Sequence, residues 1–187
     1  NVQRPAVHFQ WLLPLLMPFQ LSGVDSLSPD QMVWEGFRTG LEQDLQQSEQ
    51  EDNIQALQAL VARLLLDQET QEDQLIRLYD HVRDHFRWDG TRATWLGRSP
   101  AEIYGSARGN AAEINATLYQ FLDMAGIVSR LCLVSTRDHG PALVDAPVTG
   151  QFNHLLCLAK IDDQLFFLDA TDPRRPYDLP DPTALNR

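Results

Sequence analysis

The sequence predicts an α+β domain with helices packed on an antiparallel β-sheet, and three observations carry that expectation. Apolar residues recur at helical spacing in three segments: Ile54, Leu57, Leu60, Val61, Leu64 and Leu65; then Leu75, Leu78, Tyr79, Val82 and Phe86; then Ile114, Leu118, Phe121, Leu122 and Ala125. Beyond Gly126 the pattern changes to short strand-like runs, RLCLVST, NHLLCLAKI and QLFFLDAT. The last two runs are separated only by Asp162 and Asp163, a pair suited to a tight turn. Helices precede strands, which is the order of an α+β fold rather than of alternating parallel units.

The chain has 187 residues, 43% of them hydrophobic, enough for one domain with a sizeable core. Residues 1–27 hold VHFQWLL and then proline-broken apolar residues, the pattern of a strand and a packed linker, and are read as an N-terminal arm. Within them WLLPLLMPF is far shorter than the roughly 20 residues a membrane span needs, and Pro14 and Pro18 break it. No membrane insertion is expected. The chain begins at Asn1 without a methionine or a signal-peptide pattern, which reads as a segment of a longer or processed protein.

The domain proper is placed at residues 28–187, where Ser28 and Pro29 make an N-cap and a first helical position ahead of MVWEGF. EQDLQQSEQEDN, residues 42–53, is acidic and glutamine-rich, so it is expected as an exposed helix end or mobile connection. The two helices that follow should pair as a hairpin. WDGTRATWLGRSP reads as turns, and a third helix begins near Asn110 and ends at Gly126.

A formal net charge of -11 argues against nucleic acid or an anionic membrane surface as partner, because both attract basic patches. Cys132 and Cys157 lack the paired spacing of a zinc site and lie in apolar runs, so they are expected as buried core thiols. His81 and His85 have helical metal spacing, yet Val82 stands where a metalloprotease helix has glutamate and no third ligand is evident. They are read as two histidines on a partly exposed helix face. Arg174 and Arg175 are read as solvated charges on a proline-fixed loop, and Ser106 as a plain loop serine. No metal or cofactor is expected.

The chemistry-bearing constellation is Gly109 and Asn110 opening a helix, His154 starting a strand and Asp169 closing the next. A helix N-terminus and an imidazolium stabilise a thiolate, and a third group orients the imidazole. Side chains alternate along strands, so a two-residue turn at Asp162 and Asp163 sets Leu156 opposite Asp169, with His154 a diagonal step away on the same face. A four-residue turn would set His154 directly opposite Asp169.

The runs GNAAEINATLYQFLDMAGI, LVSTRDHG, FNHLLCLAKIDDQLFFLDATDP and LPDPTALNR resemble the transglutaminase-like superfamily, with its papain-like fold core, over about residues 54–187. The resemblance is to a bacterial branch in which this core follows a β-sandwich domain in a longer, often exported protein. It implies that residues 1–27 could end such a sandwich, and that the setting is periplasmic or exported. In catalytically competent relatives a glycine and an acidic or amide residue precede the nucleophilic cysteine, and an acidic residue follows two positions later. The matching positions here are Gly109, Asn110, Ala111 and Glu113, so the nucleophile position holds alanine. The resemblance carries the general base onto His154 and the orienting acid onto Asp169. Asn110, Glu113, Trp88, Asn153 and Arg137 are expected as cleft or support residues, with Trp88 equally suited to the core and Glu113 paired with Arg137 behind the helix start.

Alanine has no lone pair with which to form an acyl-enzyme. The expected function is therefore a non-catalytic structural or recognition module that holds a protein or peptide segment. The alternative is a cysteine-type acyl-transfer enzyme or peptidase whose cysteine has been replaced in this sequence. A metal-assisted hydrolase built on His154, Asp169 and a neighbouring carboxylate ranks third.

Overall fold

The computed structural model describes residues 36, 39–41, 43, 45, 51–67, 69–140, 142, 148–179 and 181–184. The expected N-terminal strand and the Ser28 cap lie outside them. Four helices and five strands are described in full. They are α1 (Glu51–Leu64), α2 (Gln71–His85), β1 (Arg87–Trp88), α3 (Pro100–Ser106), β2 (Arg108–Gly109), α4 (Ala111–Met124), β3 (Ser129–Val134), β4 (His154–Ile161) and β5 (Gln164–Leu168).

Local sequence sets the helix starts. Thr70, Ser99 and Asn110 each accept a hydrogen bond from the backbone three residues on, while Asp73, Glu102 and Glu113 return the bond to the cap's own N–H. These reciprocal boxes satisfy amides that no helical carbonyl can reach. Helix α3 was not expected, because seven residues are too few to show a period. Its signal is Ser99, Pro100 and Glu102, a capping box with proline at N1 inside a run that reads as turns. Helix α1 also begins before Ile54, taking in the acidic end of the segment expected to be exposed or mobile. At the end of α4, Gly126 takes a φ of +73°, a left-handed conformation that costs glycine little.

Strands β3, β4 and β5 form an antiparallel sheet in that order. One face carries Leu131, Leu133, Leu155, Cys157, Ala159, Phe166 and Leu168 and packs on the helices. The other carries Cys132, Val134, Leu156 and Leu158, and Ala184 covers it. Helix α4 is buried at every position from Ala111 to Leu118, which makes it the central helix of the core. Its Ala112 and Ala116 pack with Leu131, Leu133 and Leu155 of the sheet, where small side chains permit close approach. This is an α+β architecture of helices on an antiparallel sheet. A two-residue parallel pairing of β1 with β2 sets Trp88 beside Gly109, just ahead of α4.

Both cysteines are free and buried, as their apolar runs implied. Burial pushes the Cys132 thiol up to about 12, and burial together with the nearby Cys132 lifts Cys157 well above the ordinary thiol value. Against an ordinary thiol near 8.5, such a group holds a thiolate fraction on the order of a thousandfold smaller at pH 8. Labelling of either one should accordingly be slow in the folded chain and fast after denaturation. Rapid modification of native protein at Cys132 or Cys157 would contradict this packing.

Candidate active site

The β4–β5 hairpin turns at Asp162 and Asp163, with Ile161 opposite Gln164 and Cys157 opposite Leu168. This is the two-residue alternative, and continuing it sets Leu156 opposite Asp169 with His154 one diagonal step away. His154 Nε2 lies 2.9 Å from Asp169 Oδ2, and both side chains are buried. An ionised carboxylate only accepts, so Nε2 carries the proton and donates. In the neutral ring this leaves a bare lone pair on Nδ1, which is buried and has no hydrogen-bond partner among the described residues.

Asp169 is held from every side. Its Oδ1 accepts from Asn115 Nδ2 at 3.1 Å, Thr171 N at 3.2 Å and Thr171 Oγ1 at 2.8 Å, while Oδ2 accepts from His154 and from Arg175 Nη1 at 2.8 Å. The hydroxyl of Tyr79 donates to the Asp169 carbonyl at 3.0 Å, fixing the backbone too. Burial alone would raise the Asp169 pKa. The His154 hydrogen bond, the charge interactions with His154 and Arg175, and the Asn115 amide outweigh it and hold the carboxyl well below the ordinary range.

Arg175 corrects the expectation of a solvated loop charge. Its side chain is only 11% exposed, and it bridges Asp169 to Asp181, with Nη2 3.6 Å from Asp181 Oδ2. Arg174 is exposed, as expected. Sequence alone hid Arg175 because its partner is set by the chain reversing after β5, not by any periodic pattern.

A second correction concerns Glu113. Arg98, not Arg137, pairs with it: Nε lies 3.2 Å from Oε1 and Nη2 2.9 Å from Oε2. The Arg137 guanidinium donates to the Pro182 carbonyl at 3.2 Å. Glu113 also accepts from the Asn110 amide at 3.0 Å, so it braces the start of α4 on two sides. A Cβ at Gly109 would stand 3.1 Å from Glu113 Oε2, which accounts for glycine before the cap.

At the helix start, Ala111 N and Trp88 Nε1 both donate to the Thr91 carbonyl at 3.0 Å. Trp88 is half-buried and packs against the helical core, as the core reading of it expected. Asn153 Oδ1 accepts from Thr136 N at 2.9 Å and its Nδ2 donates to Thr136 Oγ1 at 2.7 Å, which anchors the chain just before His154. Ala111 is fully buried one turn before Asn115, and residues four apart share a helix face. Ser106 ends α3 with its hydroxyl donating to the Ile103 carbonyl at 2.9 Å. His81 and His85 lie on α2, where each places Nε2 near Tyr104, at 2.8 Å from its hydroxyl and 2.9 Å from its carbonyl respectively.

His154, Asp169 and Asp181 present potential metal-ligand atoms within 4.8 Å of one another. The guanidinium of Arg175 already lies against both carboxylates, and Arg92 Nη1 is 3.6 Å from Asp181. Negative charge in this group is thus met by the protein's own cations.

The model of the transglutaminase-like superfamily matches residues 58–167, more than half of the chain, and the chain belongs to that superfamily. Its fold is the papain/transglutaminase-like core. Among solved structures, a protease candidate from Parabacteroides distasonis superposes with a TM-score of 0.55 at 18% identity, covering 73% of this chain and 25% of that one. The chain therefore spans about a quarter of that protein's length. A cysteine-protease candidate from Cytophaga hutchinsonii gives a TM-score of 0.48 at 16% identity, over 63% of this chain and 37% of that one. A transglutaminase structure gives 0.48 at 13% identity, over 75% of this chain and 38% of that one. No curated protein sequence matches the chain.

Proposed function

We infer that this transglutaminase-like domain is a non-catalytic module, retaining a His-Asp pair while Ala111 fills the nucleophile position, and that it serves as a structural or protein-recognition part of a larger bacterial protein. The observation that carries the reading is the unpartnered Nδ1 of a buried His154 whose opposite nitrogen is committed to Asp169. That lone pair is where a nucleophile's proton would go, and the fully buried methyl of Ala111, at the N-terminus of α4 and on the face of Asn115, supplies none.

A second support is closure. Asp181 lies among the His154 and Asp169 side-chain atoms, and Ala184 packs with Val134 and Leu156 on the face that bears His154. The segment 181–184 is tied down by Arg92, whose Nη2 donates to Thr183 Oγ1 at 3.1 Å, and by Arg137, whose backbone N–H donates to the Thr183 carbonyl at 2.8 Å. The His154 side chain is itself only 1% exposed, so a substrate carbonyl reaches the imidazole only if its surroundings open. Protein recognition is assigned to an exposed face or the relic cleft by analogy of fold, with an extended peptide as the ligand class.

The test is to incubate the chain with glutamine-containing peptides and activated acyl esters, following intact mass and ammonia release. No covalent acyl adduct and no turnover above that of a His154→Ala variant are expected. Turnover abolished by His154→Ala would contradict the reading. A cysteine codon at position 111 of the parent gene would return the domain to the acyl-transfer enzymes.

A further inference from the structure

We propose that Asn115 is a positioning residue whose carboxamide is wedged between β4 and the chain leaving β5, taking the place of one backbone bond of the ladder and so holding Asp169 against His154. In an antiparallel ladder alternate residue pairs exchange both backbone hydrogen bonds, and the pair flanking a two-residue turn is one of these. Counting from Ile161 and Gln164, the bonded pairs are Ala159 with Phe166 and Cys157 with Leu168. The next would be Leu155 with Ala170, but the ladder stops at Leu168.

The Asn115 side chain stands in that gap. Its Nδ2 donates to the Leu155 carbonyl at 2.8 Å, and its Oδ1 accepts from the Ala170 N–H at 2.9 Å. A carboxamide carries the same donor and acceptor as a peptide group, so it bridges the Ala170 N–H and the Leu155 carbonyl, one of the two bonds this pair would exchange, with a side chain between the backbones. The second proton on Nδ2 goes to Asp169 Oδ1 at 3.1 Å. Asn115 thereby spreads the strands where His154 and Asp169 must meet and grips the carboxylate oxygen that His154 does not use. All of its donors and its acceptor are engaged, and it is fully buried. Alanine and leucine supply neither group, and aspartate would set an acceptor against the Leu155 carbonyl and Asp169, both of them acceptors.

The inference rests on the His154–Asp169 reading, and its test separates the two in the natural chain. Histidine labelled with 15N reports the His154 tautomer and the hydrogen-exchange rate of Nε2–H, with a His154→Gln variant assigning the signal. The natural chain should show the Nε2–H tautomer with slow exchange. Asn115→Ala should speed that exchange on the order of tenfold or more and mix the tautomers, as loss of a buried hydrogen-bond array predicts. Leu118→Ala, a cavity variant three residues along α4, is the control for simple destabilisation and should leave the tautomer unchanged.

Asn115→Asp keeps the volume and the acceptor for Ala170, so it provides a second route should the alanine variant not fold. It should retain the slow signal only at acid pH, where the two facing carboxyls can share a proton, and lose it as both ionise. Absence of a slow Nε2–H signal in the natural chain would overturn the His-Asp reading itself. A slow signal that survives in both Asn115 variants, at neutral pH, would overturn the wedge alone.

Discussion

Replacing Asp169 with alanine should destabilise the fold by about 3–5 kcal/mol, because it removes a fully buried carboxylate on which a buried imidazole and a largely buried arginine both rest. For a chain of this length that corresponds to a fall in Tm of roughly 6–20 °C. The size follows from the number of bonds lost: Asn115, Thr171, His154 and Arg175 each lose a hydrogen bond to this carboxylate. The same carboxylate gives stability a pH dependence. Its folded pKa is depressed below the unfolded value of about 3.9, so its contribution is fully present above that pH and is lost as pH falls toward the folded value. Acid unfolding of the natural chain should therefore steepen below about pH 4, and Asp169→Asn, which has no proton to gain, should flatten that limb. Equal acid sensitivity in the two proteins, measured by denaturant unfolding across the range, would show that Asp169 is not the group responsible.

Much of this site was legible in the sequence because it depends on short-range order. The capping residue Asn110 and the box with Glu113 are adjacent in sequence, and the hairpin register follows from two residues between two apolar runs. Parity alone then brings His154 and Asp169 to one face. The supports that were missed come from chain reversals. Arg98 sits in a turn-rich loop and reaches Glu113 fifteen residues on, while Arg175 folds back after the last strand. Neither position carries a periodic signal, and a loop arginine beside proline looks solvated until the reversal is known. Asn115 did leave a trace, as a lone amide among Ala112, Ile114, Ala116 and Leu118 in a helix too apolar to expose a full polar face. A buried polar residue in such a helix needs partners, and those partners mark the site.

The largest functional effect should come from a cysteine at position 111, the proposed nucleophile position. Ala111→Cys places a thiol at the first turn of α4, where the helix dipole favours thiolate, and a protonated His154, which Ala111 is proposed to face, adds to that effect. Ala111 is fully buried, so reagent access is a poor gauge and the ultraviolet absorbance of the thiolate is the better one. The native cysteines contribute no background there, since Cys132 is pushed up to about 12 and Cys157 is also raised. Thiolates paired in this way fall between about 3.5 and 7.5, against about 8.5 for a free cysteine. Turnover is not expected to return with the thiol, because the His154 side chain is buried and positioning supplies much of an enzyme's rate. The measurement is the pH titration of thiolate absorbance in Ala111→Cys, with Ala111→Cys/His154→Ala beside it. A thiol that ionises well below the free value and moves back toward it on loss of His154 is the predicted result; a thiol that titrates as an ordinary cysteine and ignores the second substitution would contradict Ala111 as the vacated nucleophile position.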